Sequence, residues 1–388
     1  MAGEWRELAV EEFAEVVGGG TPSTADERNF GGDIPWITPK DLSNYGFRYI
    51  ERGERNITEK GLLESNATLL PAGAVLLSTR APVGYLAIAK NPLTTNQGFK
   101  SLVVRDGFDN EFVFYLLKAN VDYLKSQASG TTFGELSGST LRKLKFLIPP
   151  LPEQRAIAAV LGALDDKIEL NRRMNRTLEA IAQAVFRHWF VENEEAEGWE
   201  VGRLGDLVTL VNERIDPTPQ KDNERYIALD DMPSKSIDLS QYRLGLEVNS
   251  SITRFKKGDI LFGSMRPYFH KVGIAPFDGI TRTTTFVLRP KEDLFRAFAL
   301  YWFFSDEVIE FSTTSSVGTT IPYMRWETLA EYEIPLPPRE LMSKFSEFFQ
   351  PLWLKIVSNG EQSRTLAALR DALLPKLMLG EVRVTVHE

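Results

Sequence analysis

Residues 152–191 read PEQRAIAAVLGALDDKIELNRRMNRTLEAIAQAVFRHWFV, and the spacing of their apolar residues decides how the chain is organised. Ile157, Leu161, Leu164, Ile168, Asn171, Asn175, Leu178, Ala182, Val185 and Trp189 follow one another at alternating steps of four and three. That spacing is the seam of a helix that packs along a partner helix. At the usual rise per residue the predicted helix is roughly 55–60 Å long. Pro149, Pro150 and Pro152 stop any earlier element and suit a first helical turn. Beyond Val191 the acidic run Glu192–Glu197 and Gly198 predict a solvated linker.

The partner helix starts after Pro335-Leu336-Pro337-Pro338. Its seam is Leu341, Phe345, Phe348, Leu352, Ile356, Asn359, Ser363, Leu366, Arg370, Leu373 and Leu377, with one extra residue between Leu352 and Ile356 acting as a stutter. Both seams turn polar at mid-length. An antiparallel pairing that sets Asn175 against Asn359 also sets Asn171 against Ser363, Ile157 against Leu377, Leu161 against Leu373, Ile168 against Leu366 and Trp189 against Phe345. The expectation is an antiparallel coiled coil whose polar layer, Asn171, Asn175, Asn359 and Ser363, fixes the register at a cost in stability. Leucine at the three asparagines is then expected to raise stability and blur the register. Two amphipathic helices packed separately on their own domains are the alternative. Pro351 and Pro375 each remove a helical hydrogen bond and predict kinks or a fraying last turn.

A chain of 388 residues is too long for one typical core and predicts two or more domains. Without cysteine, disulfides and thiolate metal sites are excluded. The N-terminal residues lack the basic start and apolar core of a signal peptide, and no run approaches the ~20 apolar residues of a membrane span. A soluble, cytoplasmic protein is expected. The net charge of −8 does not exclude nucleic acid, because contact depends on where Lys and Arg lie.

Internal repeats recur in the same order in both halves. Trp5-Arg6-Glu7-Leu8 returns as Trp199-Glu200-Val201 with Leu204, and Leu70-Pro71-Ala72-Gly73-Ala74-Val75-Leu76-Leu77 returns as Phe255-Lys256-Lys257-Gly258-Asp259-Ile260-Leu261-Phe262. Ser78-Thr79-Arg80 matches Gly263-Ser264-Met265-Arg266, Gly130-Thr131-Thr132 matches Gly318-Thr319-Thr320, and Ile148-Pro149 matches Ile334-Pro335. The predicted layout is a first domain over 1–150, a helix over 151–191, a linker over 192–198, a second domain over 199–335, a helix over 336–380 and a tail over 381–388. Ala74–Ser78, Tyr85–Ala89 and Ser101–Val104 predict strands and Phe112–Ser126 a helix; Asp259–Phe262, Val272–Ala275, Thr285–Leu288 and the helix Phe295–Phe311 repeat them. The expected class is α+β, with two similar domains of mostly antiparallel sheet and helices. A pseudo-two-fold internal duplication relates them around the coiled coil.

Catalytic chemistry is scarce. His188, His270 and His387 lie far apart with no carboxylate at ligand spacing, so neither a metal site nor a histidine-based triad is expected. No GxxxxGKS or GxxxxGKT loop is present to hold a triphosphate. Gly18-Gly19-Gly20 runs into Thr21-Pro22-Ser23 rather than a helix and predicts a turn. Asn91-Pro92-Leu93-Thr94 lacks the second proline and aromatic with which an amino-methyltransferase holds a flipped base. No catalytic residue is assigned.

Recognition chemistry is richer. Ser78, Thr79 and Arg80 share one predicted loop region and Asn96, Gln97 and Lys100 another; their counterparts are Ser264, Arg266, Tyr268 and Lys271, then Arg282 and Thr283. Thr131, Thr132, Thr319 and Thr320 add hydroxyls beside glycine. Arg pairs bidentately with guanine and Asn or Gln with adenine, while Lys and Thr suit phosphates. Each residue also fits a surface ion pair or a turn. Asp165, Asp166 and Glu169, interleaved with Lys167, Arg172 and Arg173, are expected on the solvated side of a helix, with a protein-docking face as the alternative.

The segment from Ile148 to Val191 closely resembles the central helix of the specificity subunits of type I restriction-modification systems. GGTPST, IPWITPKDLS, ITEKGL, LPAGAVLLSTRAPVG, TTNQGF and SGTTF resemble motifs of one variety of their target-recognition domain, and LLPKLMLGEVRV resembles the end of their second helix. The second domain matches mainly through GDILFGSMRP and GTTIPYM. The resemblance implies that each domain reads one half of a split double-stranded DNA target. It further implies that the helices set the gap and that two methyltransferase (modification) subunits dock. S-adenosylmethionine would then be held by those partners, and ATP and Mg by restriction/translocase subunits, with no cofactor on this chain. Carried over, Lys40, Arg80, Asn96, Gln97 and Thr131 lie on the DNA side, as do Arg266, Tyr268, Lys271, Arg282 and Thr319. The rod length suits half-sites about one helical turn, roughly 34–36 Å, apart. A protein-binding scaffold and a stand-alone methyltransferase are the alternatives.

Overall fold

The computed structural model describes residues 4–43, 45–128, 134–212, 214–215, 224–244 and 251–384. It divides into two compact units, Met1–Glu169 with Leu366–Glu388, and Leu170–Thr365. Each unit therefore includes part of both long helices, where the sequence separates rods from globular parts.

In the first unit Arg6–Ala9 pairs antiparallel with Lys145–Ile148, Arg6 facing Ile148. A five-stranded sheet runs in the order Ala14–Gly18, Lys100–Val104, Val75–Thr79, Val83–Ala89, Tyr49–Ile50, antiparallel except for its last pair. Every residue of Val75–Thr79 is buried, as a central strand requires. Residues Phe112–Leu117 of the helix Asn110–Ala119 are buried, and Asp109 caps it by accepting from Phe112 N at 2.8 Å. A smaller sheet of Arg55–Ile57, Phe30–Ile37 and Thr94–Thr95 lies beyond the reach of sequence periodicity, two of its strands being three residues or fewer.

The second unit repeats this plan. Glu200–Arg203 pairs with Glu333–Leu336, and a four-stranded sheet runs Val208–Leu210, Thr285–Pro290, Ile260–Gly263, Val272–Ile274. This is the order of the first four strands in the first unit's sheet. A second sheet has five short strands. The two predicted single helices are each broken: Asn110–Ala119 is followed by Val121–Ser126, and Phe295–Phe303 by Asp306–Thr314. Ser305 restarts the latter by accepting from Val308 N at 3.2 Å.

The long helices span Leu151–Phe186 and Arg339–Met378. One wider turn, Arg187–Val191, ends the first, and a single tight turn, Glu194–Gly198, stands where a linker is expected. The second continues through both prolines. Pro351 and Glu347 are exposed, so water can serve the carbonyl that proline leaves without a donor.

Within the second unit the seams meet antiparallel. Asn359 Nδ2 donates to Asn175 Oδ1 at 2.8 Å, Asn171 Nδ2 lies 3.3 Å from Ser363 Oγ, and Trp189 packs edge-on to Phe345 at 6.2 Å. In the first unit Ile157, Leu161, Leu374 and Leu377 share one core. Arg370, a charge in the second seam, is answered by Asp165. Burial opposes ionisation of Asp165, but Lys118, Arg370 and the Tyr115 hydroxyl, which donates at 2.7 Å, outweigh it and hold the carboxyl below its usual value. Arg48 Nη2 donates to Asp166 at 2.7 Å. Asp165 and Asp166 therefore tie the first globular part to its own rod rather than forming a simple solvated face.

The polar layer does more than pair the helices. Asn175 Nδ2 also donates to Asp238 Oδ2 at 3.0 Å, and Ser236 Oγ and Ile237 N donate to Glu179 Oε1 at 2.7 and 3.2 Å. The loop 236–240 is thus clamped onto the rods. Leucine at Asn175 removes a donor from a buried carboxylate, which overturns the expectation of a stability gain. Asn175→Leu is expected to lower stability by about 1–3 kcal/mol in urea titration; a rise in the melting temperature contradicts the clamp.

Burial pushes the Glu179 carboxyl up from 4.5 to about 7 and raises neighbouring Asp238 as well. The folded state holds the Glu179 proton more tightly, so its contribution is fully present below the unfolded value. That contribution is lost as pH rises through about 7. Thermal melts between pH 5 and 8 should therefore show stability falling with pH, by at most about 1.4 kcal/mol per unit from this group. Glu179→Gln should flatten the slope.

Candidate nucleic-acid interface

The strand Val75–Thr79 ends in a backbone ladder that gathers three loops. Thr79 N donates to Gly98 O at 2.7 Å, and Leu136 N donates to Thr79 O at 3.0 Å. In the second unit Ser264 N donates to Thr284 O at 3.0 Å, and Met324 N to Ser264 O at 2.8 Å. Thr79 and Ser264 are structural equivalents. The next residues confirm the alignment, since Ala81 and Arg266 both take left-handed backbone, φ 50° and 49°, ahead of a proline. Arg80 therefore corresponds to Met265, and Arg266 to Ala81. The two arginines do not occupy matching places, which corrects the sequence pairing by one residue.

Several predicted ligands serve the fold instead. Ser78 and Thr79 are fully buried; Ser78 Oγ donates to Pro82 O at 2.7 Å and Thr79 Oγ1 to Gly98 O at 3.2 Å. Ser264 Oγ donates to Thr284 O at 2.8 Å, and Lys271 Nζ to Leu229 O at 2.8 Å. These four side chains hold loops in shape; the three hydroxyl residues are buried and Lys271 is half-buried.

Others stand free of the core. Lys40 pairs on the surface with Glu54 at 2.7 Å. Asn96 Oδ1 accepts from Gly98 N at 2.9 Å, a turn that spends the oxygen and leaves its amide NH2, while Gln97 is exposed. Arg80 and Lys100 both approach Glu135, at 3.8 and 3.9 Å. Arg266, Tyr268, Arg282, Thr283, Thr319 and Thr320 are exposed. Val317 and Tyr323 exchange two backbone hydrogen bonds at 3.0 Å, so residues 318–322 form the tip of a hairpin, and Arg266 N donates to Pro322 O at 2.8 Å beside it. Thr131, Thr132 and His387 lie outside the described residues.

The glycine run has a packing reason. A Cβ at Gly19 would lie 2.0 Å from Asn96 O, and one at Gly20 2.2 Å from Ala67 N. Only glycine lets this segment support the Asn96-Gln97 loop so closely. Sequence reasoning missed Glu135, Phe269, Ile321 and Tyr323, although the run Arg266-Pro267-Tyr268-Phe269-His270-Lys271 carries the basic and aromatic interleaving that could have drawn attention to Phe269. His270 is buried, with Nε2 2.8 Å from Phe304 O and its pKa lowered by burial, which makes it a structural group. Among the described residues no cluster of three metal-ligating side chains occurs, and no helix is long and apolar enough to cross a membrane.

Two units that share the strand order of their main sheets, the first presenting arginine and amide groups and the second arginine and hydroxyl groups at the end of the central strand, define a duplicated recognition protein. The chain belongs to the family of the type I restriction modification DNA specificity domain, whose model matches residues 2–180 and 196–362. It is 38% identical to the type I restriction enzyme MjaIX specificity subunit of Methanocaldococcus jannaschii over 98% of this chain and 94% of that relative. It is 28% identical to the EcoR124I/EcoR124II specificity subunit of Escherichia coli over 42% of this chain and 41% of that one. A crystal structure of the type I restriction-modification S subunit from M. genitalium shares the fold, with TM-score 0.59 and 16% identity over 96% of both chains.

Glu135 partly neutralises the cations beside it. Glu135→Gln should strengthen duplex binding severalfold and steepen its salt dependence, as measured by anisotropy titration across salt concentrations.

Proposed function

We propose that this chain is the non-catalytic specificity subunit of a type I restriction-modification assembly. Each globular unit reads one half of a bipartite duplex target, and the long helices set the gap and dock two modification subunits. The observation that carries the reading is the repeated ladder at the end of the central strand, which presents polar and cationic side chains in both units. Membership of the DNA specificity family supports it.

In this scheme Arg266 and Arg282 suit base edges or phosphates. The Asn96 amide and Gln97 suit base edges, and Thr283, Thr319 and Thr320 suit phosphate oxygens. The chain holds no cofactor: the modification subunits carry S-adenosylmethionine and methylate adenine, while restriction/translocase subunits use ATP and Mg. A fixed amide layer between the rods suits a spacer, because slippage would change the gap.

A methylation map of DNA from cells expressing the chain with its modification subunit tests this directly. Adenine methylation at one bipartite sequence, only when both are present, is the expected result. Co-purification without any modified adenine or duplex affinity would favour a scaffold. Lengthening both helices by one heptad should change the gap and leave both half-sites intact; an unchanged gap rejects the spacer role.

A further inference from the structure

The second unit carries a feature that the first lacks. In the first, Pro82 leads directly into the strand Val83–Ala89; in the second, Pro267 opens a tight turn, Pro267–Phe269, and His270 and Lys271 follow before Val272–Ile274 begins. The four added residues, 268–271, bring Tyr268 and Phe269 into water, 48% and 42% exposed. Their rings lie 4.8 Å apart.

The turn is firmly held. His270 N donates to Pro267 O at 2.8 Å, Lys235 N donates to His270 O at 3.0 Å, and the buried His270 ring packs against Phe304. Arg266 and His270 flank the turn in left-handed backbone, φ 49° and 51°, a cost that non-glycine residues bear only where the surroundings impose it. A rigid support that keeps two large apolar rings in water has no reason in folding. Arg266 precedes the turn, and the hairpin whose Pro322 O accepts from Arg266 N carries Ile321 and Tyr323, 45% and 42% exposed. Neither Arg266 nor Arg282, the last residue of the strand Gly279–Arg282, has an ion-pair partner among the described residues. Rings among uncommitted arginines match a stacked base better than an apolar protein face.

We propose that Tyr268 and Phe269 form a wedge that enters one base step of the half-site read by the second unit, and that the first unit reads its half without a wedge. This rests on the loops being the DNA face. Specificity at that step would then come from how readily it unstacks as well as from hydrogen bonds to base edges.

The test uses the full chain assembled with its modification subunits and duplexes of the mapped target, with 2-aminopurine placed stepwise along each half away from the methylated adenines. Expected is a severalfold fluorescence rise at one step in one half only. The rise should be lost in the Tyr268→Ala/Phe269→Ala variant, with affinity falling roughly tenfold or more, and kept in Tyr268→Phe. Because both rings are nearly half exposed and the turn is held by His270 and backbone hydrogen bonds, the melting temperature should fall by only a few degrees, which separates wedge loss from misfolding. An identical fluorescence profile in the double variant overturns the wedge. Unchanged DNA affinity with loss of the modification subunits would overturn it in favour of a protein-docking patch. A wild-type assembly with no salt-dependent duplex binding would overturn the DNA reading itself.

Discussion

The hydrogen bond between Asn175 and Asn359 is the contact on which the rest depends. Two apolar seams alone would pack almost as well after sliding by a heptad. A buried amide layer removes that freedom, because a slip by one heptad in either direction sets Asn175 against a leucine, Leu352 or Leu366, that offers it no partner. The same layer reaches sideways through Asn175 to Asp238, so the register of the rods and the seating of the loop 236–240 are one constraint.

Buried polar ties also hold the first unit together, with different residues. Arg48 reaches Asp166, and Tyr115 and Arg370 meet at Asp165, so one rod segment is gripped by the globular part and by the other rod. Such pairs add little over apolar packing when intact, but breaking one leaves a desolvated charge, which makes the arrangement specific rather than merely stable. The sheet that carries the loops at the end of Val75–Thr79 and the rod beside it are thereby tied within one unit. For a surface that distinguishes donor and acceptor patterns at hydrogen-bond distances, such rigidity is a requirement.

Duplication has preserved the base and altered the edge. The ladders at Thr79 and Ser264 are the same, and so is the left-handed residue before each proline. What differs is what those positions carry: alanine in one unit and arginine in the other, a direct entry into the next strand in one and an aromatic turn in the other. Two related frames can thereby present unlike chemistry without any change in the sheet that supports them.

By itself the sequence determined the α+β duplication, both long helices, the polar layer within them and three strands of each main sheet, because the apolar residues of those elements recur with the period of the backbone that forms them. Family membership was equally legible, in motifs spread over the whole chain. Only the tertiary structure decided which loop residues face outward. Ser78, Thr79, Ser264 and Lys271 have the chemistry of DNA ligands, yet they hydrogen-bond to backbone carbonyls contributed by other segments of their own unit. A hydroxyl or ammonium group has the same donors in either role. Which role it takes depends on the acceptor that folding brings within hydrogen-bond distance, and that acceptor lies up to 42 residues away along the chain, as Leu229 does from Lys271.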